Sequence, residues 1–205
     1  MSSRKKCIII YTEGPTENEF YSFLLDEIKK LYNIKKFEAD KILKQCLKGI
    51  TKFDKKLLKK FEYDIKNKIK NYDLIVYLCY DTDVFYYNAK PAVNWEKVEN
   101  GLIELGAKNV YHIRAEKCIE DVFLTDLKGV CKYLNIPEVK RINGNDGVEK
   151  MKNLFLKGYR IYQKGFSCEG FISSLDMSII LKERYDMFKP LIKELVDEKM
   201  FSGKM

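Results

Sequence analysis

Apolar positions along the chain change period in a regular order. Residues 7–11 (CIIIY) form a short, unbroken, Ile-rich run, the pattern of a buried strand. From Thr16 the spacing becomes helical, with Phe20, Leu24, Ile28 and Leu31 on one stripe, and Thr16-x-x-Glu19 reads as a capping box. Residues 41–50 are ambiguous; Ile42-Leu43 and the Lys48-Gly49 turn allow a short strand. Residues 53–70 read as a basic amphipathic helix with Phe53, Leu57, Leu58, Phe61, Ile65 and Ile69 on one side. Residues 74–80 (LIVYLCY) are the clearest strand, apolar on both faces and so central in a parallel sheet.

After that strand, Pro91 precedes a helix over residues 95–105, and residues 109–113 form another strand. Residues 118–134 read as a helix with Ile119, Phe123, Leu127, Val130 and Leu134 inward, and Pro137 is a stop beyond it. Residues 141–147 (RINGNDG) are a turn-rich loop. Residues 148–162 and 174–196 read as helices, the second kinked at Pro190. Strand, helix, strand, helix in alternation predicts an α/β fold: a mostly parallel, Rossmann-like sheet flanked by helices, with right-handed crossovers. Residues 1–140 make that domain, and residues 141–205 a mainly helical extension packed on it.

No stretch approaches the roughly 20 apolar residues that span a bilayer, so no membrane partner is expected. The N-terminus puts basic residues before an apolar run, but the run is too short for a signal peptide and is broken by Glu13, which predicts a cytoplasmic protein. Six cysteines are scattered without CxxC spacing and read as reduced thiols. A single histidine, His112, argues against a His-based metal cluster or a Ser-His relay. The net charge is +8, and residues 29–70 hold 15 Lys against five acidic residues. Such a local field suits a polyanion, with nucleic acid the commonest. Lys also outnumbers Arg 33 to 5, which fits AT-rich codon drift equally well.

Two strand ends carry acids. Glu13 follows the first strand, and Asp81 and Asp83 follow the central one. In open parallel sheets, ligands sit at the carboxyl ends of strands, so these three carboxylates are expected to meet. The two aspartates of a D-x-D point to one side, and two hard oxygen donors suit Mg²⁺ or Mn²⁺. A glutamate opposite them then serves as a ligand or as a general acid/base. The plainer reading also stands: Asp-Thr-Asp is an ordinary turn or cap, and Glu17 and Glu19 lie in a first helical turn that favours acids anyway. Glu13 is placed for neither.

The stretches IIIYTEGPTENEFYSFLL and VYLCYDTDVF together resemble the TOPRIM fold of primases, topoisomerases and OLD-family nucleases. The E-G-P-T-E wording is most similar to stand-alone OLD-like and RloB-like TOPRIM proteins of bacterial anti-phage defence. The resemblance covers about residues 7–125 and leaves the C-terminal third unplaced. It implies a metal-dependent nuclease acting on DNA or RNA. Glu13 would be the general acid/base or a shared metal ligand, and Asp81, Asp83 and Glu17 metal ligands. Glu120 and Asp121 are the candidates for a further acidic position, although two acids at a helix start also suit a capped solvent face. Lys117 is the candidate phosphate-contacting lysine. The resemblance also implies a separately encoded ATPase partner and leaves an oligomer open. Walker-A and zinc-ribbon motifs are absent from the sequence. The alternative is a non-catalytic TOPRIM-like subunit that binds nucleic acid or a partner protein, with Phe85-Tyr86-Tyr87 as an interface, as base-stacking surface or as plain core edge.

Overall fold

Four strands form one sheet: β1 (Lys5–Thr12), β2 (Lys41–Cys46), β3 (Tyr72–Asp81) and β4 (Ala107–Ala115). Their order is β2-β1-β3-β4 and every pairing is parallel. This arrangement comes from a computed structural model that describes residues 4–83, 93–166 and 168–201. Helices follow in chain order: α1 (Pro15–Tyr32), α2 (Lys55–Lys60), α3 (Trp95–Glu104), α4 (Ile119–Phe123), α5 (Leu127–Leu134), α6 (Gly147–Lys157), α7 (Met177–Glu183), α8 (Tyr185–Leu195) and α9 (Glu198–Phe201). Pro91 and the Phe85-Tyr86-Tyr87 cluster lie outside the described residues.

Both central strands are buried on two faces, as their unbroken apolar runs require. Ile8, Ile10, Ile75, Tyr77 and Cys79 pack on one side with α1 and the C-terminal helices, in a core that includes Phe20, Phe123, Phe155, Leu181 and Phe188. Cys7, Ile9, Tyr11, Val76 and Leu78 pack on the other with Phe53, Leu57, Phe61, Val98 and Leu102. The C-terminal helices are therefore a layer on the sheet, sharing its core. All six cysteines are free thiols. Among the described residues, no helix is long and apolar enough to cross a membrane.

Several elements depart from the sequence pattern for identifiable reasons. Thr16 is not the cap of α1: the helix starts at Pro15 after Gly14, whose pre-set proline φ suits the first helical position. The capping box at Thr16 does not form, and the buried Thr16 hydroxyl has no hydrogen-bond partner among the described residues. Residues 53, 57, 61, 65 and 69 repeat every four residues, longer than the 3.6 of an α-helix. The helix accordingly widens after α2 into π-type turns over Phe61–Lys66, which holds Phe61 and Ile65 in the core and leaves Leu58 only partly buried. Buried Asp126 splits the 118–134 segment. It caps α5 through the Gly129 N–H (3.0 Å) and also accepts from the Asp176 N–H (2.7 Å). The 148–162 helix stops at Lys157. The 174–196 segment breaks at Arg184; Pro190 sits inside α8, and its carbonyl accepts from the Tyr77 hydroxyl at 2.9 Å.

The strand order positions the site. From β1 the chain turns through α1 to β2 on one side, and later runs from β3 to β4 on the other. β1 and β3 are therefore neighbours from which the chain departs in opposite directions, and a crevice opens beyond their carboxyl ends.

Candidate functional site

β1 ends at Thr12 and β3 at Asp81, so both strands deliver their acids to the same edge of the sheet. Glu13 Oε1 accepts a hydrogen bond from the Asp81 backbone N–H at 2.8 Å, which bridges 68 residues of sequence. Asp81 is 2% exposed. Its Oδ1 accepts from the Ile119 N–H at 2.8 Å, and its Oδ2 lies 2.8 Å from Lys164 Nζ. The same ammonium lies 2.8 Å from Asp83 Oδ2. The D-x-D thus presents both carboxylates to one side, with a lysine between them.

Glu17 folds back over Gly14. A Cβ at Gly14 would lie 2.6 Å from Glu17 Oε2, so a side chain there would push the Glu17 carboxylate out of this position. Glu17 sits at the third helical position after Gly14, and its own N–H and that of Gly14 favour its charged form, as for the acid of a capping box two residues earlier than the Thr16 pattern suggests. Glu120, at the start of α4, is 1% exposed; its Oε1 accepts from the Tyr162 hydroxyl at 2.8 Å.

Glu13, Glu17, Glu120, Tyr162 and Lys164 line a cavity of about 770 Å³, together with the 14–18 and 46–49 turns and Phe166. Asp81 and Asp83 stand behind Lys164 rather than in the cavity wall. Asp121 turns away, as neighbouring helical residues must. It accepts from the Cys118 thiol at 3.4 Å, lies 3.9 Å from Lys150, and lines a separate cleft with Lys140 and Arg184. Lys117 contributes its backbone. At φ 63° its N–H donates to Thr82 Oγ1 (2.8 Å) and its carbonyl accepts from the Asp83 N–H (2.7 Å), pinning the D-x-D turn, while the side chain is exposed. The lysine at the carboxylates is instead Lys164, in the non-helical stretch 159–166 after α6. His112 is engaged on the opposite face of the sheet, between Glu99 (2.8 Å) and the Tyr80 hydroxyl (2.9 Å).

Burial pushes the Glu13 carboxyl up to about 7, against the pull of its bond from the Asp81 N–H. Burial likewise raises Glu17 and Asp81 above the usual carboxylate range. Burial disfavours the charge on Lys164, but Asp81, Asp83 and Glu120 outweigh it and raise its pKa. A carboxyl with a raised folded pKa stabilises below its unfolded pKa and loses that contribution as pH rises through the folded value. Metal-free protein is therefore expected to lose stability between about pH 4.5 and 7, by on the order of 3 kcal/mol for Glu13. His112, held below its usual pKa by burial, works the other way but is one group against Glu13 and Glu17. Urea midpoints in EDTA at the two ends of that window measure the effect; a midpoint that rises with pH would contradict it.

Buried polar atoms are almost always hydrogen-bonded. Thr16 Oγ1, Asn18 Oδ1, Asp83 Oδ1 and Glu120 Oε2 have no such partner among the described residues, and all four belong to this site. The donors are hard oxygens of the kind that divalent cations take. With Lys164 seated between the aspartates, no three acidic, His or Cys side chains among the described residues are grouped to hold one ion. No protein-family model, no curated protein and no solved structure matches the chain, so its chemistry rests on the geometry of this site.

Proposed function

We propose that the chain is a metal-dependent nuclease of the TOPRIM kind that hydrolyses phosphodiester bonds in DNA or RNA. The observation that carries this reading is the lining of one cavity at the β1/β3 switch point by Glu13, Glu17 and Glu120, with Asp81 and Asp83 behind it on Lys164 and orphaned oxygens on Asp83 and Glu120. Asp81 and Asp83 would hold the cation, with Glu17 and Glu120 beside them. A bound Mg²⁺ or Mn²⁺ supplies Lewis-acid polarisation of a phosphoryl oxygen and lowers the pKa of a coordinated water. Glu13 is fixed through Oε1 and has a pKa near neutrality, so its free oxygen can take or return a proton at physiological pH. Lys164, drawn from its aspartates, meets phosphate negative charge in the cavity. Exposed Lys48 at the rim and the Lys-rich 41–70 stretch hold the backbone without reading sequence.

A cytoplasmic role in anti-phage defence beside a separately encoded ATPase follows from the sequence resemblance alone and belongs to the same proposal. Lys164 favours the alternative of a non-catalytic subunit, because it already neutralises Asp81 and Asp83. The two readings separate on incubation of purified protein with plasmid DNA and total tRNA in Mg²⁺, Mn²⁺ or EDTA. The nuclease reading expects strand breaks with metal and none in EDTA. Intact nucleic acid in all three, with no metal binding, refutes it.

A further inference from the structure

The cavity has two fixed walls. On one side the 46–49 turn is strapped to the first strand: the Leu47 N–H donates to the Thr12 carbonyl and the Gly49 N–H to the Glu13 carbonyl, both at 2.9 Å. On the other, the 162–166 segment is tied down by Tyr162 on Glu120 and by Lys164 on Asp81 and Asp83. Inward and outward positions then separate along that segment. Tyr162 is 5% exposed, whereas Ile161 is 88% and Phe166 62% exposed. Phe166 nevertheless lines the cavity, so a largely exposed aromatic side chain stands at its mouth. Lys48, opposite, is exposed and has no ion-pair partner among the described residues.

We infer that the cavity admits an unpaired nucleotide, with Phe166 as the stacking face for its base and Lys48 as a contact for the neighbouring phosphate. This rests on the phosphodiester reading and narrows it to single-stranded segments. The cavity, about 770 Å³, has the size of a small-ligand site, room for a nucleotide or two and not for a length of double helix. The groups that would meet the phosphate lie inward: Glu120 is 1% exposed and the aspartates lie behind Lys164. A strand must therefore enter the cavity to reach them, which requires unpairing. An exposed aromatic ring with an ammonium across the cavity from it is a combination that holds single strands with little sequence preference. Ribose and deoxyribose strands share this chemistry.

The test is fluorescence anisotropy of short labelled single-stranded DNA, single-stranded RNA of the same sequence, and the DNA duplex. It is run in EDTA at fixed low salt with wild type, Phe166→Ala and Lys48→Ala. Wild type is expected to prefer one or both single strands over duplex. Phe166→Ala should weaken single-strand binding about 5- to 100-fold and leave duplex binding unchanged. Lys48→Ala should weaken binding and flatten its salt dependence. The DNA and RNA arms show which sugar the site accepts. Equal affinity for duplex and single strands, no change in Phe166→Ala, or no binding to any probe overturns the inference. Single-strand binding that depends on Phe166 without cleavage in Mn²⁺ upholds it while refuting the nuclease reading. Duplex cleavage unaffected by Phe166→Ala does the reverse.

Discussion

Asp81→Ala/Asp83→Ala is expected to lower metal-dependent cleavage by about a thousandfold or more. Both carboxylates that face Lys164 vanish, and with them the donors best placed to hold a cation. The alanine change also strands the Ile119 N–H that Asp81 Oδ1 satisfies, at a cost of about 1–3 kcal/mol. Asp81→Asn/Asp83→Asn separates the two effects. An amide oxygen still accepts from Ile119, so the fold keeps its anchor to α4, while both negative charges are lost. Cleavage should fall as far as in the alanine variant, with the urea midpoint above that of the alanine variant. Cleavage that survives the asparagine pair would place the hydrolytic chemistry elsewhere.

Lys164→Met is the second large effect, and its sign depends on the metal. The Lys164 ammonium and a divalent cation compete for the same oxygens of Asp81 and Asp83. Removing the ammonium should tighten Mn²⁺ binding about tenfold or more, read by calorimetry. In EDTA the variant should be less stable than wild type, because the carboxylates keep their repulsion and lose their counter-charge. Added Mn²⁺ should restore the melting temperature. Weaker Mn²⁺ binding in Lys164→Met would mean that the lysine supports the metal site instead of competing for it.

The frame of this site was legible because it follows from period and strand ends. Residues 7–11 and 74–80 are apolar without interruption, so their central places in a parallel sheet could be read directly, and their carboxyl ends named Glu13, Asp81 and Asp83. Pairs of adjacent acids were less legible. Glu120 and Asp121 are indistinguishable in sequence, yet one helical step sends the first into the cavity and the second toward Lys150. Lys117 was read as a side chain, but a left-handed backbone makes it a clamp on the D-x-D turn. Lys164 and Tyr162 were not legible at all. The sequence reads Tyr162 as the end of a helix that in fact stops at Lys157, and Lys164 lies beyond it; among 33 lysines and 14 tyrosines, both reach the site only because the C-terminal helices pack on the sheet. The Gly49, Lys164 and Phe166 walls are tertiary in the same sense: their partners are set by packing and not by local pattern.

The most direct measurement is a calorimetric titration of Mn²⁺ into wild type and into Asp81→Asn/Asp83→Asn. The nuclease account predicts saturable binding by wild type, abolished in the variant, with cleavage appearing over the same range of metal concentration. No binding by wild type, or binding unchanged in the variant, would contradict it and leave these carboxylates as a buried cluster that Lys164 neutralises.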